Sequence, residues 1–430
     1  MTNGRLEALR RLLDHVHRTF ALQFGFSLWD GSSVPANWPS SGLMVHIADE
    51  GAVAGFVRRP NVQTLANLWA AGRIDIRNGT IFDLVDKRPA VRTRDIRKMI
   101  DKKLLLGAAA KFIFAPRGGP WPLDEIGEEK QSDGSATENK KNISYHYDVS
   151  NAFYELWLDP EMVYTCSYFT NWDNSLAQSQ IDKLEMCCRR LRLKPGETVL
   201  DLGCGWGAFS MYAARNYGVK AYGVTLSEQQ VAYANQKIQR LGLQDHVRIE
   251  LKDYAQVEGV YDKVASIGIL EHVGIDNFPT YFKTVHRSLK PGGLFLHHAI
   301  TRPGKSHQAR KRQKRPEFAA LTKYIFPGGE LDYIGRTVTN LERFGFEVHD
   351  VEAWREHYKR TCRHWHDRLL ANMEAATKEV GSVKARIWLM YLAACSISFD
   401  RNSVGLYQTL ASKRVKGSVG LPPTRADLYR

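Results

Sequence analysis

No apolar run reaches the roughly 18 residues that a membrane-spanning helix needs, so this chain of 430 residues is not expected to cross a membrane. The first residues show no charged-then-apolar leader, which predicts a cytoplasmic protein. Cysteine is scarce. Cys166, Cys187, Cys188, Cys204, Cys362 and Cys395 show no C-x-x-C zinc spacing and no secreted-scaffold density, so no metal site is expected and a reducing compartment suits them. No segment repeats. There is no helix-turn-helix pattern and no run of aromatics interleaved with basic residues, which argues against nucleic acid. Acidic residues are outnumbered, 46 against 60 Lys and Arg, for a net charge of +14. An excess of that size seeks a polyanion, either nucleic acid or an anionic membrane surface.

What is present suffices for two domains. The chain is long for one, and 43% hydrophobic residues can fill real cores. Residues 1–115 read as a first unit, with an amphipathic helix at Leu6–Phe20 and strand-like pieces at Leu43–Ile47 and Ala52–Val57. Helices follow at Asn61–Ala71 and Thr93–Lys103. Residues 116–141 read as a linker, from Pro116-Arg-Gly-Gly-Pro-Trp-Pro122 to the polar stretch Glu128–Lys141. Residues 142–430 form the second unit, whose core reaches Arg302 and whose tail is helical at Trp365–Glu379 and Val383–Phe399. Two basic runs stand out: Lys87, Arg88, Arg92, Arg94, Arg97, Lys98, Lys102 and Lys103; and Lys305, Arg310, Lys311, Arg312, Lys314 and Arg315. Charge runs are usually solvated faces. In the first, Ile96, Met99, Ile100 and Leu104 put apolar and basic residues on opposite faces of a helix, as at a membrane interface.

The second unit carries the sharpest pattern. Val199-Leu-Asp-Leu-Gly-Cys-Gly-Trp-Gly207 is an apolar strand, an acid, and glycines at Gly203, Gly205 and Gly207 before a helix. Alone, this is equally an ordinary tight βα turn. The strands Val219–Thr225, Val247–Leu251, Tyr261–Ile267 and Leu294–Ile300 follow, alternating with helices, one near Glu228 capped by Ser227 and one near Asn277–Leu289. Alternation of this kind predicts an α/β, doubly wound, mostly parallel sheet, with a smaller N-terminal α+β domain. Ligands in such sheets bind beyond the carboxyl ends of the strands. The G-x-G-x-G spacing differs from the pyrophosphate turn G-x-G-x-x-G. It resembles motif I of class I S-adenosylmethionine methyltransferases.

Longer blocks narrow this. Ser144-Tyr-His-Tyr-Asp-Val-Ser-Asn-Ala-Phe-Tyr-Glu-Leu-Trp-Leu-Asp-Pro160, Tyr164-Thr-Cys-Ser-Tyr-Phe169, Gly223-Val-Thr-Leu-Ser227, Ser266-Ile-Gly-Ile-Leu-Glu-His272, Leu296-His-His-Ala-Ile300 and Tyr324-Ile-Phe-Pro-Gly-Gly329 stand in the order found in the cyclopropane-fatty-acyl-phospholipid and mycolic acid cyclopropane synthases. The chain resembles that family over about residues 142–410, and its N-terminal unit resembles, more weakly, the extra domain of the phospholipid-acting members. The resemblance implies transfer of the S-adenosylmethionine methyl to a cis double bond of an unsaturated phospholipid acyl chain. A carbocation forms, and loss of a proton to a bound bicarbonate closes a cyclopropane ring. It implies a cytoplasmic enzyme held peripherally on an anionic membrane, and it admits a homodimer.

The same resemblance assigns residues. Glu271, His298, Tyr358, Cys166 and Ile300, the last through its backbone, are implied as the bicarbonate and acyl-pocket set. Strand alternation lets only one of His297 and His298 face the site, and register favours His298. Without the family these residues read as a helix-capping acid, a core histidine, a core tyrosine and a small buried residue. Cys395 matches a cysteine suspected as catalytic in the family, but its apolar neighbours Tyr391, Leu392 and Phe399 raise a thiol pKa and favour packing. For S-adenosylmethionine the carry-over gives Tyr164, Thr165, Gly203, Gly205, Thr225, Leu226, Gln230, Tyr254, Ile267 and Gly268. Thr225 stands where generic methyltransferases place a ribose-binding acid, as in the cyclopropane synthases, and Tyr254 replaces a tryptophan of some members. Three alternatives differ in product or class: a fatty-acid C-methyltransferase giving a methyl branch, a methylene or a furan precursor; a small-molecule N-methyltransferase; and a basic nucleic-acid-binding protein with an inert Rossmann-like domain.

Overall fold

The computed structural model describes residues 2–89, 91, 93–124, 149–304, 325 and 329–429. The polar stretch Glu128–Lys141, the block Ser144–Asp148, the run Lys305–Arg315 and most of Tyr324–Gly329 lie outside the described residues. The remainder falls into two compact units, one holding residues up to 124 with Gly381–Ala393, the other holding the rest.

In the first unit α1 (Thr2–Thr19) precedes a small sheet. Its strands β1 (Gly25–Ser27), β2 (Ser33–Val34), β3 (Met44–Ile47) and β4 (Ile74–Arg77) lie in the order β2-β1-β3-β4. Helices α2 (Glu50–Arg58) and α3 (Val62–Ala70) connect β3 to β4, and α4 (Ile81–Asp86), α5 (Thr93–Met99) and α6 (Lys102–Phe112) follow. Two sequence expectations are corrected here. Ala52–Val57 is helical, within α2, because the Asp49 carboxylate accepts from Ala52 N and starts a helix whose small residues Gly51, Ala52, Ala54 and Gly55 are buried. Thr93–Lys103 is two helices, because Asp101 accepts from the backbone N–H groups of Lys103 and Leu104 and caps a new start. The expected linker begins as packed chain: Leu123 is buried, and Arg117 lies 3.9 Å over the Trp121 ring. From the tail, Arg386 pairs with Asp75 at 3.1 Å and accepts from Trp69 Nε1 through its carbonyl.

The second unit is built on seven strands: β5 (Thr198–Leu202), β6 (Lys220–Thr225), β7 (Val247–Leu251), β8 (Tyr261–Ile267), β9 (Leu289–Thr301), β10 (Phe346–Ala353) and β11 (Gly405–Lys413). Their order is β10-β11-β9-β8-β5-β6-β7. The ladders joining β5 to β9 are parallel, and β11 runs antiparallel to both neighbours. The helices are α7 (Asn151–Glu155), α8 (Leu176–Leu191), α9 (Ala208–Tyr217), α10 (Glu228–Arg240), α11 (Leu270–Val273), α12 (Phe278–Arg287), α13 (Ile334–Arg343), α14 (Arg355–Ala371), α15 (Met373–Val380) and the end of α16 (Ser382–Asp400), whose residues up to Ala393 belong to the first unit. Strand alternation splits the core. Leu200, Leu202, Val264 and Phe295 pack with Phe278 and Phe282 of α12, while Val199, Ala265, Leu294 and Leu296 pack with Leu184 and Phe209 of α8 and α9. The expected α/β, doubly wound, mostly parallel sheet is present.

Besides the helices expected at Trp365–Glu379 and Val383–Phe399, the tail contributes two strands not foreseen from the sequence, β10 and β11. Lys290-Pro-Gly-Gly293, a turn-like sequence just before the expected strand Leu294–Ile300, is part of β9, at the place where its register with β8 shifts and Gly292 takes φ +72°. The expected helix Trp365–Glu379 is divided at Asn372 between α14 and α15.

Candidate active site

Beyond the carboxyl ends of β5, β6 and β8 lies a cavity of ≈ 360 Å³. All ten residues expected around a cofactor line it: Tyr164, Thr165, Gly203, Gly205, Thr225, Leu226, Gln230, Tyr254, Ile267 and Gly268. The loop after β5 makes this wall. Gly203 and Gly205 have φ +72° and +55°, where a side chain is strained. A Cβ on Gly203 would lie 2.0 Å from Ile269 Cγ2, whereas one on Gly205 would meet nothing within 4 Å. The backbone at Gly205 is therefore bare toward open space, as a cradle for an adenosyl and amino-acid ligand requires. After β6, Thr225 Oγ1 donates to Gln230 Oε1 at 2.7 Å, and Ser227 Oγ accepts from Gln230 N at the start of α10. Tyr254 sits half-buried in the turn capped by Asp253, and burial pushes its phenol up to about 12.

Sequence reasoning missed other lining residues, Lys183 and Asp201 above all. Asp201 accepts from Ser210 Oγ at 2.9 Å, and burial pushes its carboxyl up to about 6. Lys183 donates to Thr165 Oγ1 at 3.0 Å. Lys183 falls on the buried stripe of α8 with Gln180, Leu184, Cys187 and Leu191, a helix face that no motif marks.

A second set of side chains gathers around β9. Gln408 Nε2 of β11 lies 3.3 Å from His298 Nδ1. Donation by the amide puts the imidazole proton on Nε2, an assignment made from the hydrogen-bond network. Burial holds the His298 pKa well below the usual range, with the Lys183 charge adding to the effect, so the ring is a neutral Nε2–H donor at neutral pH. His298 stands edge-on to Trp354 at 5.3 Å, and Cys166 Sγ lies 3.8 Å from the Trp354 carbonyl. His297 points to the opposite side of the sheet, where Tyr281 Oη lies 3.0 Å from its Nδ1 and Phe282 and Phe295 surround it. Of the two histidines, His298 is the one that shares a face with Cys166. Burial pushes the Cys166 thiol far up, so it is no thiolate.

Glu271, on α11, is buried, and its pKa is pushed up to about 7 by desolvation. Its Oε1 accepts from Ile300 N at 2.6 Å. Ile300 thus contributes its backbone N–H to the Glu271 carboxyl. Tyr358 stacks on Phe399 at 4.6 Å and meets Trp365 edge-on at 5.9 Å. Trp365 in turn packs against Tyr164 of the cavity wall at 5.2 Å, and Tyr154 and Trp157 also pack against Tyr164. Electron-rich rings therefore run from the cavity to Tyr358. Cys395 is half-buried and lies near Tyr358 and Cys362, where packing is its evident role. No hydrogen bond joins Glu271 to His298, Cys166 or Tyr358 among the described residues. What Glu271 and His298 share is an unused atom: Oε2 and Nε2 are both buried without a partner among the described residues. A neutral imidazole N–H and a carboxyl that is half-protonated near neutrality are fitting donors for a small oxyanion.

The family profile described as mycolic acid cyclopropane synthetase matches residues 134–409. The chain belongs to this family. It is therefore an S-adenosylmethionine-dependent methyltransferase of class I fold. A probable fatty acid methyltransferase of Mycobacterium tuberculosis is 41% identical over 96% of this chain and 96% of its own length. The cyclopropane-fatty-acyl-phospholipid synthase of Escherichia coli (strain K12) is 35% identical over 64% of this chain and 68% of its own. A mycolic acid cyclopropane synthase solved with S-adenosylhomocysteine and CTAB superposes with a TM-score of 0.59 at 32% identity, covering 64% of this chain and 98% of that one.

Proposed function

We propose that this enzyme methylates a cis double bond in an unsaturated phospholipid acyl chain and closes a cyclopropane ring. S-adenosylmethionine supplies the electrophilic methyl. The sulfur–methyl bond breaks toward sulfur as an alkene carbon takes the methyl, leaving a carbocation; loss of a proton from that methyl then provides the electrons that close the ring. The observation that carries this reading is the pair of buried, unused polar atoms, Glu271 Oε2 and His298 Nε2. His298 cannot itself take the proton at Nε2, because that atom already carries one. Its chemistry is to hold an anion, as is that of protonated Glu271. A bicarbonate held there would supply the base. The rings of Tyr164, Trp365 and Tyr358 offer π faces to a developing cation, and buried Trp365 helps to keep water from quenching it.

The phospholipid substrate rests on the name of the Escherichia coli relative. A second reading, a fatty-acid C-methyltransferase without ring closure, is favoured by the name of the Mycobacterium tuberculosis relative, which matches over 96% of its length. Both readings suit a protein held at an anionic bilayer. Outward-facing Leu106 and Phe114, at and just beyond α6, are 67% and 89% exposed, beside exposed Lys102 and Lys103. Among the described residues no helix is long and apolar enough to cross a membrane. The deciding experiment is incubation with S-adenosylmethionine and vesicles of unsaturated phosphatidylglycerol, followed by mass spectrometry of the acyl chains. A gain of one CH₂ that survives hydrogenation as a ring supports cyclopropane formation. A product that takes up hydrogen as an alkene supports the second reading, and unchanged phospholipid with modified free fatty acid overturns the phospholipid assignment.

A further inference from the structure

Lys183 is the charge that the reaction above does not use. Its side chain is 2% exposed on α8 and borders the cofactor cavity. Nζ donates to Thr165 Oγ1, and no acid lies within ion-pair distance of it among the described residues. Two ammonium hydrogens are left without an acceptor there. A buried ammonium without a counter-charge is strongly unfavourable, so the site is built for an anion that arrives from outside the chain. The cavity's own ligand carries one. S-adenosylmethionine has a single anionic group, the α-carboxylate of its methionine part, and a fixed cation near its sulfonium is tolerable only with that anion between them.

The surroundings agree. Thr165, which holds Nζ, lines the same cavity. So does Asp201, a buried acid close enough for the Lys183 charge to lower its pKa against the larger effect of burial. An ammonium and a carboxyl on one wall, not paired with each other, match the two charges of an amino-acid zwitterion. We propose that Lys183 binds the α-carboxylate of S-adenosylmethionine and that Thr165 positions its ammonium for that contact. This rests on the cofactor use established by family membership and names the group within the cofactor that Lys183 recognises.

The test is calorimetric and needs no turnover. The full chain and its Lys183→Met variant are titrated with S-adenosylhomocysteine and with the decarboxylated analogue, which keeps the adenosyl, thioether and amine. The parent should prefer the carboxylate-bearing ligand by about 100-fold, the scale for a buried charge pair. In Lys183→Met the preference should fall to about threefold or less, while the decarboxylated ligand binds both proteins alike. Should Lys183→Met fail to fold, Thr165→Val releases Nζ from its acceptor and should cut the preference at least about fivefold. Undiminished preference in the folded variant overturns the proposal and leaves Lys183 to serve another anion. A parent that binds neither ligand overturns the cofactor assignment itself, a result distinct from loss of preference alone.

Discussion

Glu271 is the residue on which the proton question turns. Its carboxyl is half-protonated near pH 7 and has one free oxygen, so it is able either to hold an anion or to act as a base. These roles separate experimentally. If it holds an anion with His298, then Glu271→Gln and His298→Gln should each lower kcat by about 100-fold, the scale of a general acid–base contribution, while S-adenosylhomocysteine binding stays within about twofold of the parent. Stripping dissolved carbonate should slow the parent, and adding it back should restore the rate. A parent running at full speed in carbonate-free buffer would make Glu271 the direct base. Gly205 gives a second prediction. Its φ of +55° and the open space beside it mean that Gly205→Val both strains the loop and fills the cradle. Cofactor affinity should fall at least about tenfold, since a residue forced into that region costs on the order of 1–3 kcal/mol; unchanged calorimetric affinity would refute it. The glycine loop and Glu271 were legible because motifs place them at strand ends. Lys183 was not, because no motif carries it and its meaning depends on what surrounds a helix face.

At the scale of elements, the sequence was read well where one period dominated and poorly where tertiary contacts decided. The strands β5 to β8 showed as apolar runs between turn residues. β10 and β11 did not: Gly-Leu-Tyr-Gln-Thr-Leu-Ala-Ser-Lys has no clean alternation, since β11 is buried on both faces between β9 and β10. Ala52–Val57 misled for a related reason, its small residues being there for close packing, as at Gly55, where an added Cβ would lie 2.1 Å from Trp121. The break at Asp101 sets α6 as a separate helix. Leu104, Ala108 and Phe112 face inward, leaving Leu106, Ala110 and Ile113 outward with Lys102 and Lys103. Leu106→Asp with Phe114→Asp should therefore weaken sedimentation with anionic vesicles at least about tenfold, whereas Lys102→Glu with Lys103→Glu should weaken it chiefly at low salt, at about 1 kcal/mol per charge. Neither pair should alter S-adenosylhomocysteine affinity. Vesicle binding equal to the parent's in both pairs would remove α6 from the membrane surface.

For the whole molecule, the buried titratable groups set how stability follows pH. Desolvation raises Asp159 and Asp201 to about 6 and Glu271 to about 7, above the values they have in an unfolded chain. Below about pH 4 such groups are protonated in both states and their burial carries no penalty. As pH rises the unfolded chain ionises first, and stability is lost until the folded pKa is passed. Desolvation lowers His297 and His357 to about 4, which works the other way: stability is full above the ordinary histidine value of 6.5 and is lost as pH falls toward 4. The two sets oppose each other between about pH 4.5 and 6.5, and removing one carboxyl shifts that balance. Glu271→Gln deletes a cost that is absent at pH 4.5 and on the order of 3 kcal/mol at pH 7.5. Relative to the parent, the variant's Tm should therefore climb by several degrees between pH 4.5 and pH 7.5, at roughly 2–4 °C per kcal/mol for a unit of this size. The pH dependence of the difference is the readout, because a mere packing defect at position 271 would shift Tm equally at both values. A constant difference across that range would mean that Glu271 is ionised in the folded enzyme well below pH 7, and with it the carboxyl would lose its fitness to donate to a bound anion.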